Sequence, residues 1–152
     1  TTQQLFADRG LRCTRQRVHL YEALRNSPQH PTADELHRTV SSQLDGVSLA
    51  TVYNTLEAFC QAGIAQKLPG CGNNGSSRYD ACCDDHVHVR CTDTGCVMDA
   101  PDELSERILD SIPREVIDQL ESKLGFEVDQ LHIERTGRGH RPQPARVLAR
   151  PA

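Results

Sequence analysis

Apolar residues recur at helical spacing along the front of the chain. Val18, Tyr21 and Leu24 fall three apart, with Leu20 four before Leu24. They predict a helix over residues 14–26, which Ser27-Pro28 stops. Thr32-Ala33-Asp34-Glu35 has the form of a capping box. Leu36, Val40 and Leu44 follow at intervals of four before Asp45-Gly46 breaks the pattern. Ser48 is placed to cap a third helix, in which Val52, Leu56 and Phe59 form the apolar stripe until Gly63 ends it. Its other face offers Ala50, Thr51, Tyr53, Asn54 and Thr55, small or hydrogen-bonding groups without charge. IAQKL and SSRYDA then read as two short strands around the glycine-rich turn PGCGNNG. Three helices and a β-hairpin make a winged helix, whose third helix is shaped to read a DNA major groove. A small helical domain with a solvated polar face satisfies the same periodicity, so the pattern leaves both open.

Beyond the hairpin the pattern turns to alternation. HVHVRC reads as a strand, so His86 and His88 leave the same face. Two histidines so placed suit a metal ion, and equally an ordinary solvated strand. Asp80 lies just before this segment, and Asp99 ends the next short strand, CVMDA. His30 sits far back in the loop QHPT. A loop histidine beside proline is usually a surface residue, and spacing gives it no role.

Composition narrows the class. The chain has 152 residues, 37% of them hydrophobic, with no Trp. That suits one ordinary domain or two small ones and excludes disorder. No apolar run approaches the ~18 residues needed to span a bilayer. TTQQLFADRG has neither the basic start nor the apolar stretch of a signal peptide, so a soluble cytoplasmic protein is expected. The net charge of −4 conceals three regions. Residues 1–67 carry seven Lys/Arg against six Asp/Glu, residues 68–134 five against fifteen, and residues 135–152 five Arg and no acid. Arg9, Arg12, Arg15 and Arg17 cluster in the first region, beside the candidate groove-reading helix. The last stretch is rich in Pro and Arg and reads as a mobile basic tail.

Seven cysteines are an odd number for a disulfide scaffold and point to metal or redox chemistry. Cys91 and Cys96 have four residues between them, and no second pair follows, so a zinc site of two Cys-x-x-Cys pairs is not expected. A disulfide or a rebuilt zinc site at Cys91 and Cys96 stays open. Adjacent Cys82 and Cys83 chelate one ion poorly. Cys13 and Cys60 are expected on helices as small core residues, and Cys71 in the exposed wing turn.

TRQRVHLYEAL, HPTADELH, SLATVYNTLEAFCQAGIAQKL, SSRYD, DHVHVRC and CVMDA, in that order and spacing, resemble the ferric uptake regulator family over residues 11–137. Within it the sequence is most similar to the peroxide-sensing repressors. The resemblance implies an α+β protein with an N-terminal winged helix-turn-helix over 1–80, a C-terminal α/β dimerisation and metal-sensing domain over 81–137, and a tail over 138–152. It also implies a regulatory metal site of His30, Asp80, His86, His88 and Asp99, holding Fe(II) or Mn(II), with Zn(II) a possible occupant of the purified protein. Asp at position 99 and Asn at position 54 resemble the peroxide-sensing branch. Three features depart from the family. Thr94 replaces a zinc cysteine and the C-terminal cysteine pair is missing. Asp85 and Val87 fill the positions of a second metal site. The stretch 101–124 is long, with Pro113 splitting what would be one helix into two.

The implied activity is a homodimeric repressor on a palindromic DNA operator. Iron-catalysed oxidation of His30 or His86 would release it and derepress oxidative-stress genes. Arg15, Arg17, Ser48 and Thr51 would position phosphates, and Tyr53 and Asn54 would touch bases. Two alternatives remain: a thiol switch using Cys82, Cys83, Cys91 or Cys96, and an uptake repressor responding to iron, zinc or nickel occupancy. No nucleophile with an oriented base is evident, so an enzyme is not expected.

Overall fold

The computed structural model describes residues 1–70, 75–82 and 84–139. The chain divides into two compact units, Thr1–Cys83 and Asp84–His140.

In the first unit α1 (Thr2–Asp8), α2 (Arg15–Arg25), α3 (Ala33–Ser41) and α4 (Leu49–Gln61) precede an antiparallel pair, β1 (Gln66–Leu68) and β2 (Arg78–Asp80). Each helix start is fixed by a hydroxyl that accepts an otherwise orphaned N–H. Thr14 takes Arg17 N–H at 3.3 Å and Ser48 takes Thr51 N–H at 3.1 Å. Thr32 and Glu35 form the full capping box. Gly63, at φ +67°, follows α4 in the left-handed conformation that suits glycine. Leu20, Leu24, Leu36, Val40, Val52, Leu56 and Phe59 are all buried together, as the periodicity requires.

Three readings of this unit are corrected. Helix α1 was not anticipated: seven residues with Leu5, Phe6 and Ala7 side by side are too short to show a period. Yet Phe6 is fully buried, with its ring centroid 5.6 Å from those of both Tyr21 and Phe59. Cys13 lies exposed in the loop before α2, because the Thr14 cap starts that helix one residue later. Thr55 is buried: it follows Val52 by three and adjoins Leu56, so the helix turns it inward. Exposed Glu57, four on from Tyr53, adds a carboxylate to the outward face.

The second unit has a three-stranded sheet, β4 (Val97–Asp99), β3 (Val87–Cys91) and β5 (Ile133–Gly137), in that spatial order. β3 and β4 run antiparallel. β5 runs parallel to β3, reached through α5 (Asp102–Asp110) and α6 (Arg114–Leu124). Pro113 separates the two helices as expected. β5 was not anticipated, because IERTG carries a single apolar residue. Its pairing with β3 is reinforced by buried Arg90, which grips Glu134 with two bonds of 2.7 and 2.8 Å. Ser105 Oγ accepts Val87 N–H and joins α5 to the sheet. Helix α6 buries no residue of its own, and Val116, Leu120 and Leu124 stay exposed at intervals of four. No described helix is long and apolar enough to cross a membrane. The expected tip of the wing with Cys71, Cys83 and the tail from residue 140 lie outside the described residues.

Candidate metal centre

The first unit carries two of the candidate ligands, His30 and Asp80. His30 is buried, not the surface residue its loop position suggested, and has φ +45°. Among the described residues it alone adopts a positive φ without being glycine. A backbone of this kind costs about 1–3 kcal/mol and persists only where its surroundings enforce it. Here the enforcement comes from Arg78. Its Nη1 donates to the carbonyls of His30 at 3.0 Å and Gln29 at 3.3 Å, and to Glu35 Oε2 at 2.9 Å. Tyr79 N–H holds the Pro31 carbonyl at 3.0 Å, and Thr32 bridges Arg78. Burial opposes ionisation of Glu35. The Thr32 N–H and the Arg78 guanidinium outweigh it and hold the carboxyl below its ordinary value. The loop thus brings His30 Nδ1 to 3.5 Å from Asp80 Oδ1. Asp80 is itself oriented, accepting Cys82 N–H at 2.8 Å and Gln66 Nε2 at 3.1 Å.

The second unit carries the other three candidate ligands, His86, His88 and Asp99. His88 and Asp99 face each other across β3 and β4. His86 lies one residue before β3, not within it, yet its ring still meets that of His88, with centroids 4.3 Å apart. His86 Nδ1 lies 2.7 Å from the Asp84 carbonyl. A carbonyl only accepts, so Nδ1 carries a proton, and with a cation bound Nε2 would be the atom that presents a lone pair. That Nε2 is 2.8 Å from His88 Nε2 and 3.0 Å from Asp99 Oδ1, and His88 Nε2 is 3.5 Å from the same oxygen. Neighbouring donors on an ion with bonds of about 2.1 Å lie about 3 Å apart, so these three atoms fit a divalent cation.

The DNA contacts expected from the sequence lie on α2 and on α4 with its N-cap Ser48. Arg15 is exposed, and Arg17 donates to the Arg12 carbonyl at 3.2 Å. Ser48 and Thr51 hydrogen-bond each other at 2.9 Å. Tyr53 and Asn54 are exposed, and the Tyr53 hydroxyl donates to Asp34 at 3.3 Å. Slight burial and the Asp34 charge raise the Tyr53 pKa. Cys60 packs half-buried against the core, Cys82 is half-buried, and Cys91 and Cys96 are free thiols at the β3–β4 turn.

Sequence reasoning passed over Arg78 and Gln66, and saw in Glu35 only a helix cap. The available signal was Arg78 two residues before Asp80: on a strand both leave the same face, so one donor set positions the other.

A ferric uptake regulator family model matches residues 8–128, and the chain belongs to that family. It is 38% identical over 90 residues to the peroxide operon regulator of Bacillus subtilis (strain 168), covering 59% of this chain and 61% of that protein. The match therefore spans about three fifths of that relative's length. The fold is similar to the Vibrio cholerae ferric uptake regulator, with TM-score 0.65 and 26% identity over 91% of this chain and 100% of that one. It is also similar to the ferric uptake regulator of Pseudomonas aeruginosa with manganese, with TM-score 0.66 and 25% identity over 90% and 96%.

Proposed function

We propose that this chain is a metal-dependent, DNA-binding transcriptional repressor that senses peroxide by oxidation of a histidine holding its metal. The donor set carries the reading. Three imidazoles and two carboxylates, without sulfur, are divided between the two units, His30 and Asp80 in one and His86, His88 and Asp99 in the other. Such a set suits Fe(II) or Mn(II), while Zn(II) binds nitrogen and oxygen donors tightly enough to compete. If one ion takes all five, it ties the winged helix to the second unit and raises the population of the tied form. In a homodimer, two tied protomers would set the separation of two α4 helices on a palindromic duplex. The apolar stripe of α6 supports dimerisation by packing in the second unit.

Bound Fe(II) would supply reduction of peroxide to an oxidant that adds oxygen to a neighbouring imidazole. His30 and His86 are the proposed targets. Either, once oxidised, is a poorer donor, and the units are released from each other. The name of the Bacillus subtilis relative favours peroxide as the signal. The histidine is consumed in the response, so the chain acts as a sensor and not an enzyme.

Peptide mass spectrometry after a brief, low dose of peroxide tests this. With Fe(II), one oxygen should appear on the peptide holding His30 or His86 and DNA binding should fall. With Mn(II), the histidines should stay intact and DNA binding should persist. Loss of DNA binding in the iron form with both histidines unmodified would refute the reading. DNA binding that follows iron occupancy and ignores peroxide would favour the metal-uptake repressor, the reading suggested by the similarity to the Pseudomonas aeruginosa regulator with manganese.

A further inference from the structure

The second unit carries a pair of thiols that the metal centre does not use. Arg90 pairs with Val97 in the β3–β4 ladder, so the next rung places Cys91 opposite Cys96. Cys91 N–H donates to the Cys96 carbonyl at 2.9 Å. The intervening residues fold back tightly: Gly95, at φ +70°, donates its N–H to the Cys91 carbonyl at 2.8 Å. Directly opposed residues leave the same face of a sheet, and in a hydrogen-bonded rung their Cα atoms lie about 5.5 Å apart, within the span of a disulfide. Both thiols are free and half-buried, so a small oxidant can reach them.

Thr94 distinguishes the two. Its hydroxyl, helped by the N–H groups of Thr94 and Asp93, hydrogen-bonds the Cys91 sulfur and holds that thiol below its ordinary pKa. Thr94 Oγ1 also accepts Cys96 N–H at 3.3 Å, which fixes the hydroxyl between the two cysteines. An activated thiol beside a second thiol is the arrangement found at cysteines that sense oxidants.

We propose that Cys91 and Cys96 form a second, metal-independent peroxide-reactive site, a reversible dithiol–disulfide couple in which Cys91 attacks and Cys96 resolves. The Cys91 thiolate attacks one oxygen of hydrogen peroxide. The O–O bond breaks, hydroxide leaves and takes up a proton as water, and Cys91 becomes a sulfenic acid. The Cys96 sulfur then attacks the Cys91 sulfur, its proton leaves with the hydroxyl as a second water, and the S–S bond forms. The two thiols lose two electrons and the peroxide gains them. The rungs beyond this pair are Arg90 with Val97, Val89 with Met98 and His88 with Asp99. The bridge therefore closes one end of a short hairpin whose other end bears two metal donors.

The test uses the full chain loaded with Mn(II), in which the proposed function predicts intact histidines. After brief exposure to hydrogen peroxide, thiols are alkylated and the protein is digested with trypsin, which leaves both cysteines on the peptide 91–107. That peptide should lose the mass of two hydrogens and escape alkylation, and a dithiol reductant should restore it. Met98 oxidation, on the same peptide, adds oxygen and is read separately. Cys96→Ser should leave a sulfenic acid on Cys91 that dimedone captures, and Thr94→Val should slow the reaction through a smaller thiolate fraction. The proposal is overturned if peptide 91–107 stays doubly alkylated while other cysteine peptides oxidise. It is equally overturned if Cys91 links to a different cysteine or to a second chain. None of these outcomes bears on whether His30 or His86 is oxidised with iron, so either result can fail alone.

Discussion

At Arg78 one guanidinium meets two carbonyls of the His30 loop and the carboxylate that caps α3. This links the backbone that presents the proposed ligand His30 to the start of α3 in the first unit. Arg78→Lys keeps the charge but loses the fork, since an ammonium is a single point of contact. The expected result is a 10–100-fold weaker affinity for Mn(II), the usual cost of losing a group that orients a ligand, with the thermal unfolding transition retained. Titration calorimetry beside circular dichroism would check both halves of that expectation. The pH dependence has a definite sign. Glu35 has its carboxyl held below 4.5, so its contribution is present above that value and lost as pH falls through the lower folded value. The stability difference between the wild type and Glu35→Gln should therefore stay constant from pH 7 down to about 5 and shrink in stronger acid, read by urea titration at each pH.

Helix α1 illustrates what a short element adds. Its single buried ring completes a cluster with Tyr21 and Phe59, whose centroids are 5.5 Å apart. Phe6→Ala should lower stability by about 3–5 kcal/mol, the range for removing a buried aromatic side chain, measured as a shift in the urea midpoint. Helix α6 is the opposite case. Its exposed Val116, Leu120 and Leu124 contribute nothing to the interior of their own chain. Leu120→Asp should change the unfolding free energy of the isolated chain by no more than about 0.5 kcal/mol. In sedimentation velocity it should shift dimer to monomer, because a carboxylate in an apolar interface has no partner. A dimer that survives this substitution would place the subunit contact elsewhere.

For the chain as a whole, the decisive expectation concerns the tie between the two units. If one ion takes donors from both, Mn(II) should reduce the radius of gyration measured by small-angle scattering. His30→Ala should remove that change while the second unit still binds metal more weakly. An unchanged radius in the wild-type chain would mean that each set of donors acts alone.

Much of this was legible along the chain, for physical reasons. The hydroxyl caps at Thr32 and Ser48, the core stripe of α4 and the break at Pro113 depend on neighbours within a few residues. The alternation of His86 and His88 was likewise visible, because side-chain direction on a strand repeats every second residue. What sequence could not supply was decided by contacts between distant segments. Strand β5 exists because β3 offers it an edge, and Arg90 a charge partner, more than forty positions earlier. His30 is buried and left-handed because Arg78, 48 residues away, binds its carbonyl. Cys91 and Cys96 face each other because the β3–β4 register, not their spacing, sets them on one rung. The sequence by itself determined the core stripes of α2, α3 and α4, the caps at Thr32 and Ser48 and the chemical types of the proposed metal donors, since those follow from local geometry and composition. Only the tertiary structure decided the strained loop that orients His30, the ring-to-ring approach of His86 and His88, and the opposed thiols, because each depends on a distance that chain order does not encode.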